Sequence, residues 1–296
     1  MNKEYAIGAD IGGSHLSSAI VNLSNGEICS NIITDPADSK AGAEEILSAW
    51  AANLRKTLKA GKEYNIRQIG FAMPGPFDYE RGISLIKGVD KFESMFGMDV
   101  SASLRARLGA GYDLRYVNDA ASFGLGECRW GAAKEYDKVI ALTLGTGVGS
   151  CFIEGHKALT EGKGVPENGY VYNLPFEDGI ADDKFSTRWV VRRYHEMTGK
   201  RISGALDVAN DYGKRPEAKD LFQEYGRRLA DFLMPLMRDF GTDTVVLGGN
   251  IAKNIEYFGP AMKKDFERHG AKANILLSRL FDKAAILGAA SIFIKA

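Results

Sequence analysis

Between Tyr5 and about Asp35, apolar and β-branched positions alternate with small or polar ones in three short stretches, interrupted by Gly12-Gly13 and by Ser24-Asn25-Gly26. A period of two marks half-buried strands, and Asn-Gly is a dipeptide that closes tight hairpins, so three successive strands are predicted. The period then changes. Ile46, Leu47, Trp50, Leu54 and Leu58 share one face of a helix predicted over 43–60, with Asp38 or Ser39 as its cap. A strand over 66–72 runs into Met73-Pro74-Gly75-Pro76, a loop by its two prolines and glycine. A helix over 99–108, a short strand over 114–117 and a helix from Asp119 to about Trp130 follow, so the opening order is βββαβ with a further helix and strand behind it.

The pattern then restarts. Strands over 138–144 and 149–154 flank Gly145-Thr146-Gly147, a long helix covers 217–240 with a kink expected at Pro235, and a strand over 244–247 ends at Gly248-Gly249. Two strand-glycine-strand units, each followed by a helix and another strand, predict duplicated α/β domains. The stretch from Glu154 to about Lys184 is rich in Gly, Glu, Asp and Pro with little periodicity, and is expected to be a long, irregular, functional loop.

A length of 296 residues fits two domains at roughly 150 each. Lys+Arg equals Asp+Glu at 38 each, so no excess of either sign draws the chain to polyanions, and a nucleic-acid partner is disfavoured. The run containing Arg192, Arg193, Lys200 and Arg201 reads as a solvated face, and His156, His195 and His269 read as surface residues. Cys29, Cys128 and Cys151 are odd in number and far apart, which gives neither a disulfide framework nor a thiolate zinc site. Asp10 stands where a secretory signal would have its apolar core, and no apolar run reaches the ~18 residues of a membrane span. A cytoplasmic protein with no membrane partner is expected.

Four motifs carry candidate chemistry. In Asp10-Ile11-Gly12-Gly13-Ser14-His15 a carboxylate ends a buried strand and a glycine turn follows; backbone N–H groups of such a turn can approach a phosphate while the carboxylate holds magnesium through water. An ordinary hairpin with an exposed Asp is the competing reading. Leu144-Gly145-Thr146-Gly147-Val148-Gly149 repeats the device without the Gly-Lys-Ser/Thr of a Walker loop. Asn118-Asp119 ends a strand and opens a helix, where an Asp either caps the helix or, at the ligand-binding edge of an α/β sheet, takes a proton from a substrate hydroxyl. Gly248-Gly249-Asn250 repeats the strand-to-helix turn and could receive a nucleotide.

Taken together, IGADIGGSH, FAMPGPFDYERGIS, YVNDAASFGLGE, VIALTLGTGVGSCFIEGHKAL, VVLGGNIA and AAILGAASIF resemble, in order and spacing, the ROK family of sugar kinases, repressors and related open reading frames, within the actin-like and hexokinase-like ATPase superfamily. The resemblance implies an α/β fold of two ribonuclease-H-like domains with a cleft between them, one of residues 1–119 with a C-terminal helix 284–296 and one of residues 120–283. It implies ATP and Mg2+, a hexose or hexose derivative as the small-molecule partner, and a homodimer. By position, Asp119 resembles the general base, while Asn118 and the Pro74-Gly75 loop would bind sugar hydroxyls. Asp10, Gly12, Gly13 and Ser14 would face magnesium and phosphate, Thr146 and Gly147 the outer phosphates, and Gly248 and Gly249 the adenosine.

The departures from the family pattern are informative. Zinc-bearing members carry Glu-x-Gly-His and then a cysteine-rich loop; here the stretch reads Glu167-Asn168-Gly169-Tyr170, and 171–184 contains neither Cys nor His, so zinc is not expected. Glu167 is assigned to a sugar hydroxyl, and Tyr170 offers a hydroxyl and a ring face where the imidazole is lost, or else packs as an ordinary aromatic. A later sugar-binding Glu of the family would fall near Asp182 or Asp183. An ATP- and Mg-dependent hexose kinase is the leading expectation. A sugar-binding or regulatory protein with weakened catalysis is the alternative, without a DNA-binding module because only nine residues precede Asp10. An ATPase-type structural or chaperone protein ranks third.

Overall fold

Tyr5–Ile11 (β1) and His15–Asn22 (β2), buried along most of their length rather than at alternate positions, pair antiparallel across the Gly12-Gly13-Ser14 turn, with Ile11 opposite Leu16. Ile33–Pro36 (β3) pairs antiparallel with β2, so an irregular stretch separates the Asn25-Gly26 turn from the third strand. Ala43–Ala60 (α1) buries Ile46, Leu47, Trp50 and Leu54, the face its spacing defines. The expected cap is corrected. Gly42 holds the N-cap position and no side chain caps the helix, because Asp38 accepts the Lys40 N–H and the Ser39 N–H is bound to Gly13 O.

Gln68–Met73 (β4) lies parallel to β1, and a small hairpin of Phe77–Asp78 (β5) and Ile83–Ser84 (β6) follows it. Val100–Leu108 (α2) is capped by Asp99, which accepts the Ala102 N–H at 2.7 Å. Asp113–Asn118 (β7) then completes a five-stranded sheet of order β3-β2-β1-β4-β7, and Asp119–Trp130 (α3) leaves its end. An N-cap of this kind contributes about 0.5–2 kcal/mol. Asp99→Ala is expected to lower Tm by about 2–4 °C, read by calorimetry, with no change in ligand affinity.

This is a computed structural model, and it describes residues 4–294. They form two compact units, one of residues 4–130 with 282–294 and one of residues 131–281. The division expected after Asp119 thus falls after Trp130. Residues 1–3 and 295–296, at the ends of the expected first domain and C-terminal helix, lie outside the described residues. The reason α3 stays with the first unit is its packing on the C-terminal helix Ala284–Ser291. A Cβ on Gly288 would stand 1.7 Å from Ser122 O, and one on Gly8 of β1 would stand 1.9 Å from Ile286 O. The small residues of AAILGAAS let three backbones meet without side chains between them.

In the second unit Lys138–Leu144 (β8), Val148–Glu154 (β9) and Lys157–Leu159 (β10) form an antiparallel meander. The stretch expected to be irregular is in fact built from short pieces. After β10 come a single turn at Glu167–Gly169, a hairpin of Pro175–Phe176 (β11) and Gly179–Ile180 (β12), and helix Ala181–Phe185 (α4). Elements of two to five residues carry too little periodicity to be read from sequence. Helices Thr187–Thr198 (α5), Ala205–Asp211 (α6) and Pro216–Phe240 (α7) follow; α7 is continuous through Pro235 and buries Leu221, Phe222, Tyr225, Leu229 and Leu233. Thr244–Gly248 (β13) lies parallel to β8, then come Gly249–Ala252 (α8), Ile255–Arg268 (α9) and Asn274–Leu277 (β14).

The sheet order β10-β9-β8-β13-β14 repeats that of the first unit, with two antiparallel strands and then two parallel ones beside the hairpin strand. The duplication read from the sequence is a duplicated topology. Among the described residues no helix is long and apolar enough to cross a membrane.

Candidate active site

In the first unit, β1, β4 and β7 run parallel, with Asp10 beside Ala72 and Met73 beside Asn118 in register. Asp10, the Pro74-Gly75 loop and Asn118-Asp119 therefore lie together at the carboxyl ends of adjacent strands, the edge where open α/β sheets hold their ligands. The Gly75-Pro76 bond is cis. The hairpin Gly12-Gly13-Ser14 lies beyond β1: the Gly12 N–H donates to His15 O at 2.9 Å, while Gly13 O and Ser14 O accept from Ser39 and Ala37. No acceptor within the protein takes the Gly13 or Ser14 N–H among the described residues, and both residues are exposed. Two open, adjacent amide donors of this kind are able to hold an anion.

Asn118 and Asp119 divide the work at the start of α3. Asn118 Oδ1 accepts the Ala120 and Ala121 N–H groups at 3.0 and 3.2 Å, so Asn118 is the helix cap, and its Nδ2 donates to Tyr79 Oη at 3.1 Å. Tyr79 in turn donates to Met73 O at 3.2 Å, tying the β4 loop to β7. Relieved of capping, Asp119 accepts the Ala120 N–H through Oδ1 at 2.8 Å. Its surface is accessible, yet protein surrounds it densely enough that burial pushes its carboxyl above the ordinary carboxylate range, against the Ala120 N–H and the charge of Lys91. Asp10 is pushed up to about 7, chiefly by burial and then by the charges of Asp119 and Asp282.

Asp282 and Lys91 escaped the sequence reading. Asp282 lies just ahead of the C-terminal helix, in a stretch without periodicity. Lys91 sits on a turn whose neighbours Asp90 and Phe92 have φ of 58° and 57°, and Phe92 is wholly buried, 5.7 Å from the Trp50 ring. The Phe92 N–H donates to Ser39 O at 2.6 Å and the Ser39 N–H to Gly13 O at 3.2 Å, so this turn is fixed to the glycine hairpin. Lys91 Cδ stands 3.9 Å from where a Cβ on Gly13 would be. The only signal for it in the chain is a lysine near an aromatic, which is too common to single out.

In the second unit the parallel strands β8 and β13 place Gly248 beside Thr143, and a Cβ on Gly249 (φ 83°) would stand 2.4 Å from Leu144 O. Gly248-Gly249 thus adjoins the hairpin Gly145-Thr146-Gly147 because neither residue has a side chain to hold them apart. Gly145 and Gly147 close the hairpin with an N–H···O bond of 3.0 Å, leaving the Thr146 and Gly147 N–H groups and the Thr146 hydroxyl without a protein acceptor among the described residues. Glu167 is exposed and Tyr170 half-buried on a turn fixed to β9 by Ser150, whose Oγ donates to Gly169 O at 2.7 Å and accepts the Val171 N–H at 3.0 Å. The Tyr170 and Tyr172 rings lie 5.9 Å apart. Asp183 caps the start of α4, accepting the Ile180 N–H at 3.3 Å. Asp182 turns toward the glycine hairpin, where its Oδ1 accepts the Val148 N–H at 2.8 Å.

Comparison with known proteins gives this arrangement a family. A glucokinase from Thermotoga maritima is 26% identical over 328 residues, covering 99% of this chain and 98% of the relative. The fold matches the crystal structure of a ROK hexokinase from Thermus thermophilus with a TM-score of 0.81 at 23% identity over 97% of each chain. It also matches a ROK family glucokinase from Streptomyces griseus in complex with glucose and AMPPNP, with a TM-score of 0.74 at 24% identity over 97% of this chain and 98% of the other. The ROK family pattern itself runs over residues 6–296, and the chain belongs to the ROK family.

Proposed function

We propose that this ROK carbohydrate kinase transfers the γ-phosphoryl group of ATP to a hydroxyl of a hexose or hexose derivative, with Asp119 as the general base. The observation that carries the reading is the state of Asp119: freed from capping by Asn118, held by the Ala120 amide, raised in pKa, and beside Asp10 and a glycine hairpin with open donors. A base titrating above the usual carboxylate range is better matched to a sugar hydroxyl than an ordinary Asp. The Thermotoga relative is a glucokinase and the Streptomyces structure holds glucose and AMPPNP, which supports the same class of substrates for this chain.

In the proposed step Asp119 takes the hydroxyl proton as the sugar oxygen forms a bond to the γ-phosphorus and the bond from that phosphorus to the bridging oxygen breaks, releasing ADP. Phosphoryl transfer asks the protein mainly for alignment and charge neutralisation. Gly12, Gly13 and Ser14 offer amides to phosphate, and Lys91 brings a positive charge to the same hairpin. Thr146 and Gly147 are assigned to the outer phosphates, Gly248 and Gly249 to the adenosine. Asn118, the Pro74-Gly75 loop, Glu167 and Tyr170 are assigned to the sugar.

Magnesium suits the donors present: Asp10 is an all-oxygen ligand crowded by two further carboxylates, a charge pattern that calls for a cation. When bound, Mg2+ neutralises phosphate oxygens and sets their geometry. The test is an ADP-release assay with ATP and Mg2+ across hexoses, hexosamines and N-acylated amino sugars. Sugar-dependent turnover is expected. Silence across the panel, with a sugar still raising Tm, overturns the reading in favour of a sugar-binding or regulatory protein.

A further inference from the structure

We infer that Asp182 and Arg188 act as a positioning pair that presets the second glycine hairpin for the phosphates of ATP, an inference that rests on the kinase reading. Every atom involved belongs to the second unit. Arg188 Nη2 pairs with Asp182 Oδ2, and Arg188 Nη1 donates to Thr146 O at 3.0 Å. Asp182 Oδ1 accepts the Val148 N–H at 2.8 Å. Next to Arg188, Thr187 donates both its N–H and its hydroxyl to Gly145 O, at 2.7 and 2.8 Å. The start of α5 and one carboxylate of α4 therefore satisfy the Gly145 and Thr146 carbonyls and the Val148 amide.

Among the described residues, the polar groups left open on this hairpin are the Thr146 and Gly147 amides and the Thr146 hydroxyl, each able to donate a hydrogen bond. A turn with its carbonyls occupied and its donors open is set for an anion before the anion arrives. Contact favours the glycine: a Cβ on Gly147 would stand 3.1 Å from Asp182 Oδ1, so a side chain there would crowd the carboxylate and require it to shift by a few tenths of an ångström.

The same helix ties the hairpin to the segment carrying Tyr170. The Asp182 N–H donates to Tyr172 O at 2.9 Å, and the Tyr170 and Tyr172 rings are in contact. The backbone of Asp182 thus anchors the segment assigned to the sugar, and its side chain anchors the turn assigned to phosphate. An exposed ion pair alone contributes little stability, and the Arg188 side chain is 60% exposed, so stability is not what this pair chiefly provides.

The experiment measures kcat, the KM of ATP and the KM of the sugar for wild type, Arg188→Met, Arg188→Lys and Asp182→Ala, with sugar affinity by calorimetry in the absence of nucleotide. For Arg188→Met, the KM of ATP is expected to rise about tenfold and kcat to fall about 10- to 100-fold, with sugar affinity within about twofold of wild type. Arg188→Lys, which keeps the charge but loses the fork, is expected to recover only part. In Asp182→Ala, hydrogen exchange at the Val148 amide is expected to quicken whether or not nucleotide is present. Wild-type turnover matched by Arg188→Met, or an equal loss of sugar affinity in that variant, overturns the positioning role alone. Absence of turnover in the wild type overturns the kinase reading and this role with it.

Discussion

Asp119→Asn is expected to lower sugar-dependent ATP turnover by about 10²- to 10⁴-fold, the range that loss of one general base produces. The substitution is chosen because it spares the structure. Asp119 Oδ1 accepts the Ala120 N–H at 2.8 Å, and an Asn oxygen can accept the same bond. The cap of α3 belongs to Asn118 and is untouched. Tm is therefore expected to stay within about 3 °C, and the KM of the sugar within a few-fold, because what is removed is a proton acceptor needed in the transition state. The wild-type pH profile supplies a second readout. Burial raises the Asp119 carboxyl, so the acid limb of kcat/KM is expected above the ordinary carboxylate range, and the residual activity of Asp119→Asn is expected to lack that limb. Turnover kept at the wild-type level by Asp119→Asn would overturn the assignment of the base.

The long elements were legible because each carries many turns of one period. The α1 helix appears at 43–60 with the buried face its leucines and Trp50 define, and strands flank both glycine hairpins as expected, though they are buried along most of their length rather than on alternate residues. The α1 cap was misread since Asp38 spends its carboxylate on the Lys40 N–H, Ser39 is held by Gly13 O through its backbone N–H, and the helix begins only at Ala43 behind Gly42, which only the folded chain reveals. The boundary after Trp130 was hidden for a related reason: α3 belongs with the first unit through contact with a helix more than 150 residues later, at glycines whose role is the close approach of another backbone.

The candidate site divides in the same way. Its glycines, Asp10 and Asp119 stand out in local motifs, whereas Lys91 and Asp282 sit in irregular segments and become informative only through what they face. Asp182 was visible as a carboxylate near a sugar-binding position of the family. Its bonds to Val148 and Arg188 belong to the hairpin instead, and those depend on the angle of a five-residue helix.

Asp10→Asn is expected to move stability and activity in opposite directions. In the folded protein without metal, the Asp10 carboxyl is pushed up from 3.8 to about 7 by burial and by the neighbouring Asp119 and Asp282. A raised carboxyl stabilises the fold fully only below its unfolded value near 3.8, and that contribution is lost as pH climbs through about 7, because the ionised form is the one the site disfavours. At about 1.4 kcal/mol per pH unit the loss is at most about 4 kcal/mol, and about 2 once water reaching the half-buried carboxylate is allowed for. Asn carries no such charge. Metal-free Asp10→Asn is thus expected to match wild type near pH 4 and to exceed its Tm by about 4–8 °C at pH 8. Addition of Mg2+ with ADP at pH 8 is expected to close that gap by stabilising the wild type alone, since a divalent cation answers the repulsion among the three carboxylates. Turnover, by contrast, is expected to fall at least about 10²-fold in the variant, as alignment and neutralisation of the phosphates supply most of the rate. Equal Tm values for the two proteins at pH 8 without metal would show that Asp10 is not strained by its neighbours, and equal turnover that it holds no part of the magnesium site.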